Sequence, residues 1–185
     1  VGIEHMRHAE NVIFGGSALN RAAELRGLEA QAVLQAHPAA KTTLFWRGKP
    51  LVQDQAEGLL GLAWVDLDHP ALGSAAESLV FLGLNEAKEP LFLADISIWE
   101  PEELAETLNA FLDPSQQEHP ALTDGEYFAE LRAVMTQLSA RHAELAATGR
   151  GLLEWHRTHG FCGTCGAPSN LAMAGWQRNC PACNR

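Results

Sequence analysis

Four cysteines confined to 22 residues, Cys162, Cys165, Cys180 and Cys183, constrain this chain more than any other feature. Their spacing is C-x2-C-x14-C-x2-C. Two residues between the members of a pair let both thiolates face one ion while N–H groups of the turn donate to the sulfurs. Two such knuckles complete a tetrahedron. Gly163 and Gly166 beside the first pair, and Pro181 within the second, suit tight turns. The spacer can hold a short hairpin with Trp176 packed over the site. Disulfides would need an oxidising compartment, redox C-x-x-C chemistry uses one pair at a helix start, and four thiolates also suit iron. Zinc fits best, one ion per chain. Its role is structural, because four cysteine ligands leave no position open for water or substrate. The metal would fold a segment, 161–185, that has no apolar core of its own. His156 and His159 lie nearby, but the tetrahedron is already filled, so an exposed helix end is expected for them.

The rest of the chain can bury a core: 185 residues with 46% apolar content suit one domain and a small appendage. No apolar run approaches the roughly 18 to 20 residues that span a bilayer. The N-terminus, Val1-Gly2-Ile3-Glu4-His5, lacks a signal-peptide pattern, and a cytoplasmic location is expected. Charge is uneven. Residues 54–130 carry 17 acidic side chains and one basic, Lys88, whereas residues 1–53 sum to +2 and residues 131–185 to +4. Such an acidic middle repels phosphates and reads as a solvated surface; only the C-terminal end offers polyanions a mild attraction.

The patterning alternates between sheet and helix. A Gly15-Gly16-Ser17 turn precedes helix formers from Leu19 to Arg26, read as a short helix. Thr42–Trp46 and Pro50–Val52, around Arg47-Gly48-Lys49, read as two strands, with a third apolar run from Leu59 to Leu67. Leu79–Leu84 and Leu91–Ile96 flank a five-residue loop, Asn85–Glu89, as a hairpin. Pro101, with Glu102 and Glu103 behind it, suits a helix start, which explains these carboxylates without catalysis. Thr123 and Glu126 form a capping-box pattern. Phe128, Leu131, Met135, Leu138 and Leu145 then mark one face of a long helix, which Gly149 and Gly151 would break before Leu152–Thr158 and Gly160. The class is α+β: a mixed or antiparallel sheet with helices over 1–125, connecting helices over 126–160, and a zinc ribbon over 161–185.

No catalytic motif is complete. There is no G-x-x-x-x-G-K-[ST] and no H-E-x-x-H, and Gly15-Gly16-Ser17-Ala18 is followed by Leu19, not by the glycine of a nucleophile elbow. His5 and His8 read as a mobile terminus. Aromatics are few and scattered, which argues against a stacking surface for single strands, although Phe161 and Trp176 beside a mildly basic ribbon keep that reading open.

The run Leu153-Glu154-Trp155-His156-Arg157-Thr158-His159-Gly160-Phe161-Cys162-Gly163-Thr164-Cys165-Gly166, continued by Gly175-Trp176-Gln177-Arg178-Asn179-Cys180-Pro181-Ala182-Cys183, resembles the NADH pyrophosphatase family of Nudix hydrolases, where the N-terminal domain joins the zinc ribbon. Leu19-Asn20-Arg21, Glu24-Leu25-Arg26 and the Phe81-Leu82-Gly83-Leu84 strand are similar to its N-terminal domain. The resemblance implies a homodimeric hydrolase that splits NAD(H) into nicotinamide mononucleotide and AMP, with NAD-capped RNA as a further substrate of some members. That chemistry belongs to a third domain, whose Nudix box, G-x5-E-x7-R-E-U-x-E-E-x-G-U with U a bulky aliphatic residue, holds magnesium or manganese. The 185 residues contain no such box. The expectation is therefore a partial protein, inactive alone, with no catalytic residue, whose parts serve structure and dimerisation through the long helix or a sheet edge. A stand-alone ribbon module for nucleic acid or protein is the alternative.

Overall fold

The computed structural model describes residues 18–108, 110 and 113–185. The expectations for His5, His8 and the Gly15-Gly16-Ser17 turn fall outside these residues.

The sheet grows from two hairpins. β1 (Lys41–Trp46) and β2 (Lys49–Asp54) are joined by Arg47 and Gly48, at φ 50° and 79°. Positive φ at both positions is what a two-residue turn needs to follow the twist of its strands. β5 (Val80–Leu84) and β6 (Pro90–Asp95) form the second hairpin, closed by the expected loop, in which the Asn85 side-chain oxygen accepts from the Glu89 N–H at 2.9 Å. β6 lies parallel to β1, from Lys41 opposite Leu91 to Phe45 opposite Asp95, so the sheet is mixed. The apolar run at 59–67 is divided at Ala63 and Trp64 into β3 (Leu60–Leu62), paired with β2, and β4 (Val65–Asp66), paired with β1. β7 (Glu126–Phe128) fills the gap beside β2 where β1 departs. The order is β3-β2-β1-β6-β5.

Period-two alternation assigns the two faces. Phe45, Val80, Leu82, Leu91 and Leu93 pack against α2 (Leu131–Val134) and α3 (Ala140–Thr158) through Leu131, Val134, Ala143, Leu145 and Ala146. Leu44, Trp46, Ala94 and Ile96 face the other way, onto Phe128 and onto Ala71, Leu72 and Ala75 of the 3-10 turns at Pro70–Ser78. Each such large side chain taken out of water contributes on the order of 1.5–3 kcal/mol. One charged pair joins the core: the Lys49 ammonium lies 2.8 Å from an Asp113 carboxylate oxygen, the two side chains 2% and 3% exposed. Lys49 also donates to the Ser115 carbonyl and hydroxyl oxygens at 2.9 and 2.7 Å.

Three helical expectations are corrected. Between Leu19 and Arg26 only Ala23–Leu25 is helical, as a single 3-10 turn; α1 (Leu28–Gln35) starts after Gly27. Asn20 bridges to Leu84 at the edge of β5, and its side-chain oxygen accepts the Ala22 N–H at 3.0 Å, which holds that stretch out of a helix. No helix starts at Pro101. The Trp99 carbonyl is taken by the Trp46 indole at 2.9 Å and the Thr107 hydroxyl by Asp113 at 3.0 Å, and between these anchors the described residues turn at Ala105–Leu108. The capping-box pattern is half formed: Glu126 accepts the Thr123 N–H at 3.0 Å, but Gly125, at φ 86°, turns the chain into β7. The long helix begins later, at N-cap Ser139, whose hydroxyl accepts the His142 N–H at 3.2 Å. It then runs through both glycines unbroken to Thr158. At Gly149 it presses on the sheet, where a Cβ would lie 2.8 Å from Phe45 Cζ.

Candidate metal centre

α3 ends at His159, whose N–H bonds the Trp155 carbonyl at 2.9 Å, and the chain enters the first knuckle directly. The Cys162 N–H donates to the Ala167 carbonyl at 2.8 Å and the Gly166 N–H returns to the Cys162 carbonyl at 2.9 Å. The second knuckle repeats this: the Asn184 N–H donates to the Cys180 carbonyl at 2.9 Å. The residue after each second cysteine is left-handed, Gly166 at φ 74° and Asn184 at φ 55°. Glycine and asparagine are the residues that accept this conformation most readily. The role of Gly166 agrees with its reading as a turn residue. Asn184 escapes the sequence reading, although its place after the last cysteine is a signal that points to it.

The knuckles face one another. The four sulfurs lie within 4.8 Å of one another, with Cys162 Sγ 3.6 Å from Cys183 Sγ and Cys165 Sγ 3.5 Å from Cys180 Sγ. Tetrahedral zinc with sulfurs about 2.3 Å away sets them about 3.8 Å apart, so the donor set fits the ion in number, type and spacing. The electrostatics point the same way. N–H groups of Cys165 and Thr164 bring the Cys162 thiol down to about 6, whereas the thiols of Cys165, Cys180 and Cys162 push Cys183 up to about 12. Four thiolates so close cannot all ionise without a cation among them. Cys180 is buried and Cys165 exposed.

Between the knuckles, β8 (Asn170–Ala172) and β9 (Gln177–Asn179) form the expected hairpin. Trp176 does not sit over the sulfurs. Its indole N–H donates to the Phe81 carbonyl on β5 at 2.6 Å, and the Arg26 guanidinium stacks 4.0 Å from its ring centroid. Gly175, at φ 88°, lies so close to β5 that a Cβ would fall 2.6 Å from a Val80 methyl. The apolar sheet attracts the ring more strongly than a small, half-exposed ribbon can. Arg21 secures the seam, donating to the Leu82 carbonyl at 3.1 Å and pairing with Glu144 of α3. Nothing in the spacing of these residues names them as partners.

The histidines stay outside the sulfur group. His159 is exposed; His156 is not, since its ring nitrogens are buried and burial lowers its pKa. Glu102 and Glu103 are exposed and take no part in a shared site.

Comparison with known proteins places these observations. Residues 39–155 match the family model described as NADH pyrophosphatase-like rudimentary NUDIX domain, and residues 157–185 the one described as NADH pyrophosphatase zinc ribbon domain. The chain is similar to human mitochondrial NAD(P)H pyrophosphatase NUDT13, 33% identical over 58% of this chain and 29% of the relative. The mouse protein of the same name is 31% identical over 71% and 34%. Human NAD-capped RNA hydrolase NUDT12 is 26% identical over 79% and 35%. The chain thus spans about a third of the length of these relatives.

Proposed function

The chain belongs to the NADH pyrophosphatase family of Nudix hydrolases, and on that premise we propose that it supplies the non-catalytic part of an enzyme that cleaves NAD(H) to nicotinamide mononucleotide and AMP. The observation that carries this reading concerns metal-binding groups. Among the described residues, the four cysteines are the one set of three or more His, Cys, Asp or Glu side chains close enough to share an ion. Pyrophosphate cleavage of this class needs clustered carboxylates around magnesium or manganese, and the sequence holds no Nudix box.

The division of labour follows. Cys162, Cys165, Cys180 and Cys183 hold one zinc ion that shapes the ribbon, 161–185. Zinc supplies charge neutralisation and rigidity there, with no position open to substrate. The rudimentary Nudix part carries the ribbon on α3 and β5 and supports dimerisation. Magnesium or manganese, NAD(H) and NAD-capped RNA belong to the catalytic domain of a longer protein. No helix is long and apolar enough to cross a membrane among the described residues. Thiols kept for a metal need a reducing compartment. The cytoplasm is the location we assign, with the mitochondrion as the outcome of fractionation that would replace it.

Metal content and NADH turnover with magnesium or manganese test the proposal, on the 185-residue chain and on a form extended by a Nudix-box domain. The expected result is one zinc per chain in both and turnover only in the longer form. Turnover by the 185-residue chain would overturn the reading. Sedimentation velocity should give a dimer.

A further inference from the structure

The carboxyl ends of the parallel strands β1 and β6 open into a cavity of about 860 Å3, whose lining includes Arg47, Asp95, Ser97, Arg150, Glu154 and Arg157. This volume lies in the range of ligand pockets, roughly 300–1,000 Å3. Arg150, Glu154 and Arg157 share one face of α3 at steps of four and three residues, and Arg47 reaches the same space from the β1–β2 turn.

Two of the arginines are set in place by their surroundings. Arg47 lies 5.0 Å from the Trp46 ring centroid, and its main-chain N–H donates to the Ser97 hydroxyl oxygen at 2.6 Å. Ser97 is itself held by Asp95, which accepts its N–H at 2.9 Å, so that carboxylate is engaged within its own loop. Arg150 is anchored by the largely buried Glu130. The remaining partners are different in kind: Arg47 pairs with Glu100 at 2.6 Å and Arg157 with Glu154 at 2.6 Å, and these two glutamates are 63% and 56% exposed. Exposed ion pairs are weak and exchange readily. A phosphate group offers both guanidinium forks a better-matched acceptor.

We propose that this cavity binds phosphate groups, with Arg47 and Arg157 released from Glu100 and Glu154 to bridge them and Arg150 as a fixed third cation. The ligand chemistry is that of closely spaced phosphate groups, whether in free pyrophosphate or as successive phosphodiesters of a single-stranded RNA backbone. The site is separate from the sulfur cluster and stands whether or not the catalytic assignment above holds.

Titration calorimetry on the zinc-loaded 185-residue chain tests it, with inorganic pyrophosphate in one arm and a 5′-hydroxyl oligoadenylate in the other. Arg47→Asn with Arg157→Ser should weaken binding at least about tenfold. Asn-Gly suits the β1–β2 turn, so the fold is kept. Glu100→Gln with Glu154→Gln should tighten binding several-fold by removing the competing acceptors. Pyrophosphate binding that moves both ways identifies free phosphate as the source; such a response in the oligonucleotide arm alone identifies the RNA backbone. Should the arginine variant fail to fold, the glutamine variant decides. The proposal is overturned if neither probe binds below about 1 mM, or if binding is unchanged by the glutamine variant.

Discussion

The indole N–H of Trp176 donates to the carbonyl of Phe81 at 2.6 Å, so the ribbon is bonded to the middle of β5 as well as being continuous with α3. Shape of the ribbon and position of the ring are therefore linked. Removing zinc with a strong chelator should unfold the knuckles, free Trp176 from the sheet and shift its fluorescence to longer wavelength; Cys180→Ser should do the same without chelator. Trp176→Phe leaves the Phe81 carbonyl without its donor and should cost about 1–3 kcal/mol in urea unfolding, with zinc retained. Unchanged fluorescence on zinc removal would separate the two.

Gly149 and Gly151, two residues apart on α3, should respond oppositely to alanine. At Gly149 a Cβ would lie 2.8 and 2.9 Å from ring carbons of Phe45 and 3.0 Å from a Leu93 methyl, both on buried strands that cannot yield. Gly149→Ala should destabilise by about 1–3 kcal/mol in spite of its better helix propensity. At Gly151 an added methyl would meet nothing within 4 Å, and Gly151→Ala should stabilise by about 0.5–1 kcal/mol. Paired urea melts read both signs.

Lys49 and Asp113 should fail singly and tolerate joint replacement. Either Lys49→Met or Asp113→Leu leaves a buried charge alone, at a cost of about 3–5 kcal/mol. The double variant should recover most of that loss. A double variant as unstable as the worse single one would show that Ser115 and Thr107, not the ion pair, organise this corner.

Acid should weaken the fold in two stages. His142 Nδ1 accepts the Leu62 N–H at 3.1 Å, and burial, then Arg141, lowers its pKa. Burial lowers His119 and His156 as well. Above the ordinary value of about 6.5, folded and unfolded rings are both neutral; below it the unfolded chain takes protons that the folded one refuses, so stability falls with pH. Asp113 acts lower. Burial raises its pKa, but hydrogen bonds from Lys49, Ser115 and Thr107 outweigh that and hold it below the usual range. Its contribution is present above about pH 3.9 and is lost as pH falls beneath that. Urea midpoints should drop from pH 7.5 to about 5.5, and His142→Gln should remove part of the slope.

How much of the fold is legible in the sequence depends on whether a signal is local. The knuckles are, because C-x2-C states the geometry of its own turn, and so are the hairpins, where Gly48 and the Asn85–Glu89 loop sit between alternating apolar runs. The expected helix at Pro101 does not form because the Trp99 carbonyl is held by Trp46, far back in the chain, while Thr107 is tied locally to Asp113, six residues on. Intrinsic propensity makes Gly149 a helix breaker, whereas in the fold it is the residue that lets α3 approach Phe45. Spacing alone puts Trp176 over the sulfurs, because β5, which takes the ring, is not adjacent in sequence. Long-range partners override local preference in each case.

The parallel pairing of β1 with β6 sets an order of events during folding. Each belongs to a hairpin whose ends meet after a short loop, and such hairpins close on a microsecond scale, roughly 1–10 μs. Joining Lys41 to Leu91 closes a far longer stretch of chain, which costs entropy before any contact repays it. The seam between the hairpins is therefore the slow step. Until it closes, one edge of each hairpin lies open to strands of other molecules, so dilution at that stage should raise the refolding yield.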